Sequence, residues 1–287
     1  MCLNIIVIKD NIMTRKIPFE SEYQLHKLTQ NHLRDLFDLE FVASEIQKDK
    51  LRFDNLAFDE KTNTFVIIEY KNELNLDVLD QVSEYRNLLL SNPEEYANLL
   101  KDSREIDFEN TRVMIIGPEF SEKQIEESEK LDFSTELYVI SLFKEDEKNG
   151  CVIYESTDGN LTRKLDIDMD CIKLTRDTLL ENKSEEIIEL YEDFEKELLN
   201  EFDDLELKFL VDAVSIKAQN KYICLVNVKS LIKIILYTKQ LEDSENKTRD
   251  ISDITTGGEL ADYELTLNHE NIAYAINLIK QVYNQKV

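Results

Sequence analysis

Hydrophobic positions along this chain change their spacing in blocks. From residue 20 to 37, Leu25, Leu28, Leu33 and Leu36 recur at helical intervals, and Ser21 stands three residues ahead of Gln24, where it can cap the helix. Residues 39–46 and 51–58 read as strands, and Phe65-Val66-Ile67-Ile68 as a strand buried on both faces. The short stretch 59–63 suits a hairpin between the last two. A helix over 77–90, a helical turn at Asn92-Pro93-Glu94, a buried strand over 112–118, an acidic helix over 121–131 and a strand over 137–143 follow. That order is a βαβ unit, so it predicts a parallel pair within a larger sheet, closed by a strand over 151–155. Gly117-Pro118 lacks the glycine pattern and lysine of a phosphate loop and reads as a turn.

The second half has a different rhythm. Residues 157–183 have broken periodicity and many charges, and Asp166, Asp168 and Asp170 among them read as an exposed acidic edge. From Glu185, the positions Ile188, Leu190, Tyr191, Phe194, Leu198 and Phe202 line one side of a helix. Strands over 222–228, 231–237 and 263–267, a loop at Gly257-Gly258 and a helix over 271–283 complete the chain. The expected organisation is an extension over 1–17, with Met13 as an alternative start, a domain over 18–156, a linker over 157–183, and a small α+β domain over 184–287.

Chemistry concentrates between residues 51 and 85. The buried run ends in Glu69-Tyr70-Lys71, and alternation along a strand sends Glu69 and Lys71 to one face and Tyr70 to the other. Asp54, on the preceding strand, is placed to lie beside Glu69. Two carboxylates and an ammonium at a strand end are costly as bare charges, and a hard divalent cation relieves the repulsion. Mg²⁺ or Mn²⁺ suits carboxylate oxygens and phosphate substrates. Lysine beside such an ion can orient or help deprotonate a water, or steady a pentacovalent phosphate. Gln81 and Tyr85, at i and i+4, share one helix face.

At these residues the chain resembles the PD-(D/E)XK, or restriction-endonuclease-like, nuclease superfamily, and Gln81 and Tyr85 match the Q-x-x-x-Y element of its RecB-like branch. The resemblance implies an α/β fold with a mixed sheet flanked by helices. It also implies a metal-dependent nuclease acting on DNA, with Asp54, Glu69 and the carbonyl of Tyr70 as metal ligands and Lys71 as the catalytic lysine. Many members place a glutamate on the first helix; Glu22 is the candidate, ahead of Glu20 and Glu40. His26 and His32, six apart, form no helical ligand pair and read as surface or boundary residues. The last hundred residues resemble a domain of unknown function in microbial proteins labelled predicted transport proteins. The matching residues are Leu190-Tyr191-Glu192, Lys221-Tyr222, Lys229-Ser230-Leu231, Asp262-Tyr263-Glu264-Leu265, and Ala275 through Tyr283. That resemblance implies no chemistry, and the chain has no apolar run of membrane-spanning length.

Charge complicates the nuclease expectation. The net charge is −26, and an acidic body repels nucleic acid. The acidity is uneven: residues 1–100 carry a balance of −7 and residues 101–200 one of −15. A basic strip from Lys50, Arg52, Lys71 and Arg86 is the expected phosphate track. Cys2, Cys151, Cys171 and Cys224 are far apart with no C-x-x-C, which gives little support to a zinc site or a disulfide framework and fits the cytoplasm. Cys2 to Ile8 is short and lacks a basic start and a small-residue cleavage site, so it reads as neither a signal peptide nor a membrane span. Three partner readings stay open at this point: nucleic acid, a homodimer, and a basic protein bound by a nuclease fold that does not cut.

Overall fold

The run Phe65-Val66-Ile67-Ile68 has no polar side to present to water, and the fold covers both of its faces. The computed structural model describes the chain except residues 1–5, 10–11, 49, 101, 103, 253–254, 257–258 and 261. It divides into two compact units, Met1–Lys173 and Leu174–Val287.

The first unit runs β1 (Ile6–Lys9), β2 (Ile12–Ile17), α1 (Glu22–Asn31), α2 (Leu33–Phe37), β3 (Glu40–Lys48), β4 (Leu51–Asp59) and β5 (Thr64–Tyr70). It continues through α3 (Val78–Leu90), α4 (Pro93–Ala97), β6 (Arg112–Gly117), α5 (Glu122–Ser128), β7 (Thr135–Lys144), β8 (Asn149–Ser156) and β9 (Thr162–Asp168). These strands form one nine-stranded mixed sheet. β3, β4 and β5 are antiparallel neighbours, whereas β5, β6 and β7 run parallel, with α3 and α5 in the crossovers. β8 and β9 extend the far edge, and the β1–β2 hairpin joins the end of β7. Asn63, at φ 55°, supplies the left-handed residue that closes the β4–β5 hairpin.

Val66, Ile68 and Tyr70 pack with Leu25 and Leu28 of α1 on one face. Phe65 and Ile67 pack with Val82, Tyr85 and Leu89 of α3 on the other. Ser21 caps α1 by accepting from the Gln24 N–H at 3.2 Å. A capping box at Ser121 and Gln124 starts α5, and the Gln124 amide also donates to the Asn75 carbonyl at 2.6 Å, pinning the loop between β5 and α3.

The second unit starts with α6 (Arg176–Leu180) and α7 (Glu185–Glu201). Strands β10 (Glu206–Phe209), β11 (Ala213–Ala218), β12 (Lys221–Val228), β13 (Ile232–Leu236) and β14 (Thr248–Asp250) follow. The two-residue strands β15 (Thr255–Thr256) and β16 (Glu259–Leu260), then β17 (Tyr263–Thr266) and α8 (Ile272–Lys286), complete it. Six of these strands make an antiparallel sheet in the order β10-β11-β12-β13-β17-β14. Phe194 and Leu198 of α7 and Leu278, Ile279 and Val282 of α8 share one apolar core with Val226 and Ile234.

Several expectations need correction. Residues 157–183 hold more than a connection: β9 pairs with β8, a 3-10 turn at Met169–Ile172 follows, and the first unit ends at Lys173. β9 escaped the hydrophobic pattern because it is an edge strand with mostly exposed side chains; Asp166, Asp168 and Asp170 are exposed along it and just beyond it. In the expected extension, β2 pairs with β7. Cys2 and Gly257-Gly258 lie outside the described residues. No described helix is long and apolar enough to cross a membrane.

Candidate active site

The ladder between β4 and β5 stops at the pair Asn55 and Ile68. One step further along, where Asp54 and Glu69 would face each other, the strands no longer exchange backbone hydrogen bonds. The Tyr70 N–H donates instead to Asp54 Oδ2 at 2.9 Å, and on its other side the chain stays in the sheet through the Lys71 N–H bond to the Ile116 carbonyl, also 2.9 Å. A carboxylate thus stands in for a backbone carbonyl at the point where the sheet opens.

Glu69 is 2% exposed. Its Oε1 accepts from Lys71 Nζ at 2.6 Å, while its Oε2 is buried with no protein partner. Burial first, and the Asp54 charge second, push the Glu69 carboxyl up to about 8, with the Lys71 ammonium opposing them. Burial also works against the Lys71 charge, but Glu69, Glu22 and Asp54 outweigh it and hold that lysine above its ordinary value. At neutral pH Lys71 is therefore a fixed cation rather than a proton acceptor.

Glu22, at the start of α1, belongs to the same cluster. Burial raises its carboxyl, Lys71 lowers it and Asp54 raises it, and the Asn72 backbone hydrogen-bonds to it. Glu20, by contrast, is exposed, and Glu40 is engaged by Arg104 at 2.8 Å. From α3, Gln81 hydrogen-bonds the Tyr85 hydroxyl. Tyr85 is 2% exposed, and burial, followed by the Glu69 charge, raises its hydroxyl to about 12. The structure therefore gathers Glu22, Asp54, Glu69, Lys71, Gln81 and Tyr85 at one strand end. The Tyr70 ring points away, into the α1 side of the core.

Two residues behave differently from expectation. His26 is 7% exposed and stacks on the Tyr70 ring, with centroids 4.9 Å apart and planes 22° apart. Its Nε2 is buried and unpartnered, burial lowers its proton affinity, and the Asp54 charge acts the other way. The signal was present: His26 lies four residues after Glu22 and next to Leu25, on the buried face of the helix. Arg86 is not part of a basic strip. It is 9% exposed, donates to the carbonyls of Thr111 (3.1 Å) and Glu109 (2.6 Å), and lies over the Phe133 ring. Lys71 is taken by Glu69, which leaves Lys50 and Arg52 as the exposed cations of the expected strip.

Among the described residues, no group of three or more His, Cys, Asp or Glu side chains is arranged to hold a metal ion. The set implied here is smaller, two carboxylates and one backbone carbonyl, and all of its donors are oxygens. An orphaned, desolvated carboxylate oxygen beside a second carboxylate fits a hard divalent cation, which would satisfy that oxygen and offset the mutual repulsion.

No family model matches the chain. It is similar to an uncharacterized protein of Haemophilus influenzae, 28% identical over 281 residues that cover 92% of this chain and 93% of that one. An alignment of that extent runs through both units. Among solved structures, an EndoMS–dsDNA2 complex matches with a TM-score of 0.29 and 20% identity, over 40% of this chain and 44% of that one. Overlap that partial assigns nothing.

Proposed function

We propose that the first unit is a metal-dependent nuclease that hydrolyses phosphodiester bonds, with DNA the substrate implied by the resemblance to the RecB-like branch. One observation carries the reading: Glu69 Oε2 is buried and unsatisfied beside Asp54, while the other Glu69 oxygen is held by a lysine. Asp54, Glu69 and the Tyr70 carbonyl would hold Mg²⁺ or Mn²⁺. Such an ion, when bound, polarises a phosphoryl oxygen and acidifies a bound water.

The chain's own groups divide the remaining work. Lys71, whose charged form is favoured by the acidic groups around it, supplies positive charge where negative charge grows on the phosphoryl oxygens. Glu22, raised by burial and close to Lys71, is placed to accept a proton from water. Tyr85, held by Gln81 and sensing the Glu69 charge, walls the α3 side of the site.

Purified protein incubated with single- and double-stranded DNA and Mn²⁺ or Mg²⁺ tests this. Cleavage is expected, and Lys71→Ala and Asp54→Ala should abolish it; cleavage unchanged in both variants refutes the assignment. A second reading, a nuclease fold that binds a basic protein without cutting, is favoured by the net charge of −26 and by the engagement of Lys71 and Arg86 in internal contacts. Salt-sensitive capture of a basic partner together with absence of metal binding would support it.

A further inference from the structure

Beneath the two carboxylates, on the α1 side of the sheet, lies a closed set of polar side chains that the chemistry above does not use. Asn55 and Tyr70 are each fully buried, and each is the next residue after a proposed metal ligand. The Tyr70 hydroxyl donates to Asn55 Oδ1 at 2.7 Å. Asn55 Nδ2 donates both to the Asp54 carbonyl at 2.9 Å and to Gln30 Oε1 of α1 at 3.1 Å. The Asn55 amide therefore has its acceptor and both donor hydrogens engaged, which fixes its orientation. The His26 ring covers the Tyr70 ring from the helix side.

Around this set the core is apolar: Leu25, Ala57, Val66, Ile68 and Met114. Apolar side chains at 55 and 70 would fill that core without three polar atoms to satisfy, so packing alone does not call for the network. Its location does. The β4–β5 ladder ends at Asn55 and Ile68, and at its end two side-chain stitches join the strands among the described residues. One is Asp54 Oδ2 to the Tyr70 N–H, and the other is Tyr70 Oη to Asn55 Oδ1. The second stitch grips the far side of the residues that carry the site.

We infer that Asn55, Tyr70 and Gln30 are positioning residues that hold the parted ends of β4 and β5 at the spacing a shared cation needs. In this arrangement Tyr70 has two separate jobs. Its backbone carbonyl would be the third ligand to the ion, and its hydroxyl, through Asn55, sets where Asp54 stands. The inference rests on the metal-site reading above.

Calorimetric titration of the full-length, metal-free protein with Mn²⁺ tests it, using Tyr70→Phe against Tyr154→Phe. Tyr154 is buried in the same core and its hydroxyl meets Thr29 Oγ1 at 3.0 Å, so its loss is an equivalent buried deletion that does not touch the stitch. Tyr70→Phe should weaken Mn²⁺ binding about 10- to 100-fold, the usual cost of losing support behind a metal ligand, and Tyr154→Phe should leave it unchanged. If Tyr70→Phe does not fold, Gln30→Ala at the outer end of the network should shift Mn²⁺ affinity in the same direction. Wild-type affinity in Tyr70→Phe, or an equal loss in Tyr154→Phe, overturns the positioning role and leaves the nuclease reading standing. No Mn²⁺ binding by the wild type overturns both.

Discussion

The two units bury different things. Among the described residues, the first unit buries Glu69, Arg86, His26, Asp59, Asn55 and Gln124, while the buried polar residues of the second are Ser215, Thr238 and Asn271. Yet both cores are large and centred on a sheet with helices packed against it. Burying ionisable groups costs free energy that an apolar replacement would not. Among these groups Glu69 differs from the rest: it sits where β4 and β5 part, and one of its carboxylate oxygens has no protein partner. The core of the second unit is apolar, with few buried polar side chains among the described residues.

Substitutions in each unit should separate chemistry from packing. The largest expected effect is on chemistry: Lys71→Ala should lower Mn²⁺-dependent DNA cleavage by about a hundredfold or more, the scale of losing a fixed charge aimed at a transition state. The variant should still unfold cooperatively, with Glu69 taking up a proton once its partner is gone. Phe194→Ala does the opposite. Removing a ring that is 1% exposed from the core of the second unit should cost that unit about 3–5 kcal/mol in denaturant unfolding, while Mn²⁺ titration of the first unit is unchanged. If Phe194→Ala also weakened Mn²⁺ binding, the division of labour between the units would fail.

A smaller effect separates stability from function within the first unit. The folded protein raises the Glu69 carboxyl from 4.5 to about 8, so it disfavours the ionised form. The associated stability is complete below the unfolded value of 4.5 and is lost as pH rises through about 8. Metal-free wild type should therefore melt at progressively lower temperature between those values. Glu69→Gln should flatten that slope, melt higher than wild type on the alkaline side, and bind no Mn²⁺. The smallest effect is in the second unit. Burial opposes the ionised form of Asp243, but hydrogen bonds from Tyr274, Thr248 and the Lys247 N–H prevail and hold its carboxyl down at about 2. The stability they confer is present above the unfolded value of 3.8 and disappears toward 2. Asp243→Asn should be less dependent on pH over that span in an acid-unfolding series.

What the sequence made legible follows the same division. Strongly periodic segments such as β5, β6, α3 and α7 stand out, because each places a whole apolar stripe or run against the core. β14, three residues long with two of them exposed, and β9, an edge strand, present no stripe to read. The cluster of Asp54, Glu69 and Lys71 was legible because strand alternation and hairpin register are local rules. The stacking of His26 on Tyr70 is a tertiary contact between residues 44 positions apart, and nothing in either segment announces its partner. Arg86 misled for a related reason. A lysine or arginine on a helix is usually solvated, but this one falls between Val82 and Leu89 on the packed face, where only loop carbonyls could satisfy it.

Anomalous diffraction from crystals soaked in Mn²⁺ decides whether the parted ends of β4 and β5 hold a cation. A manganese peak is expected beside Asp54, the free Oε2 of Glu69 and the Tyr70 carbonyl. Soaked crystals with no peak there, or with Lys71 still the sole partner of Glu69 at saturating Mn²⁺, would contradict it.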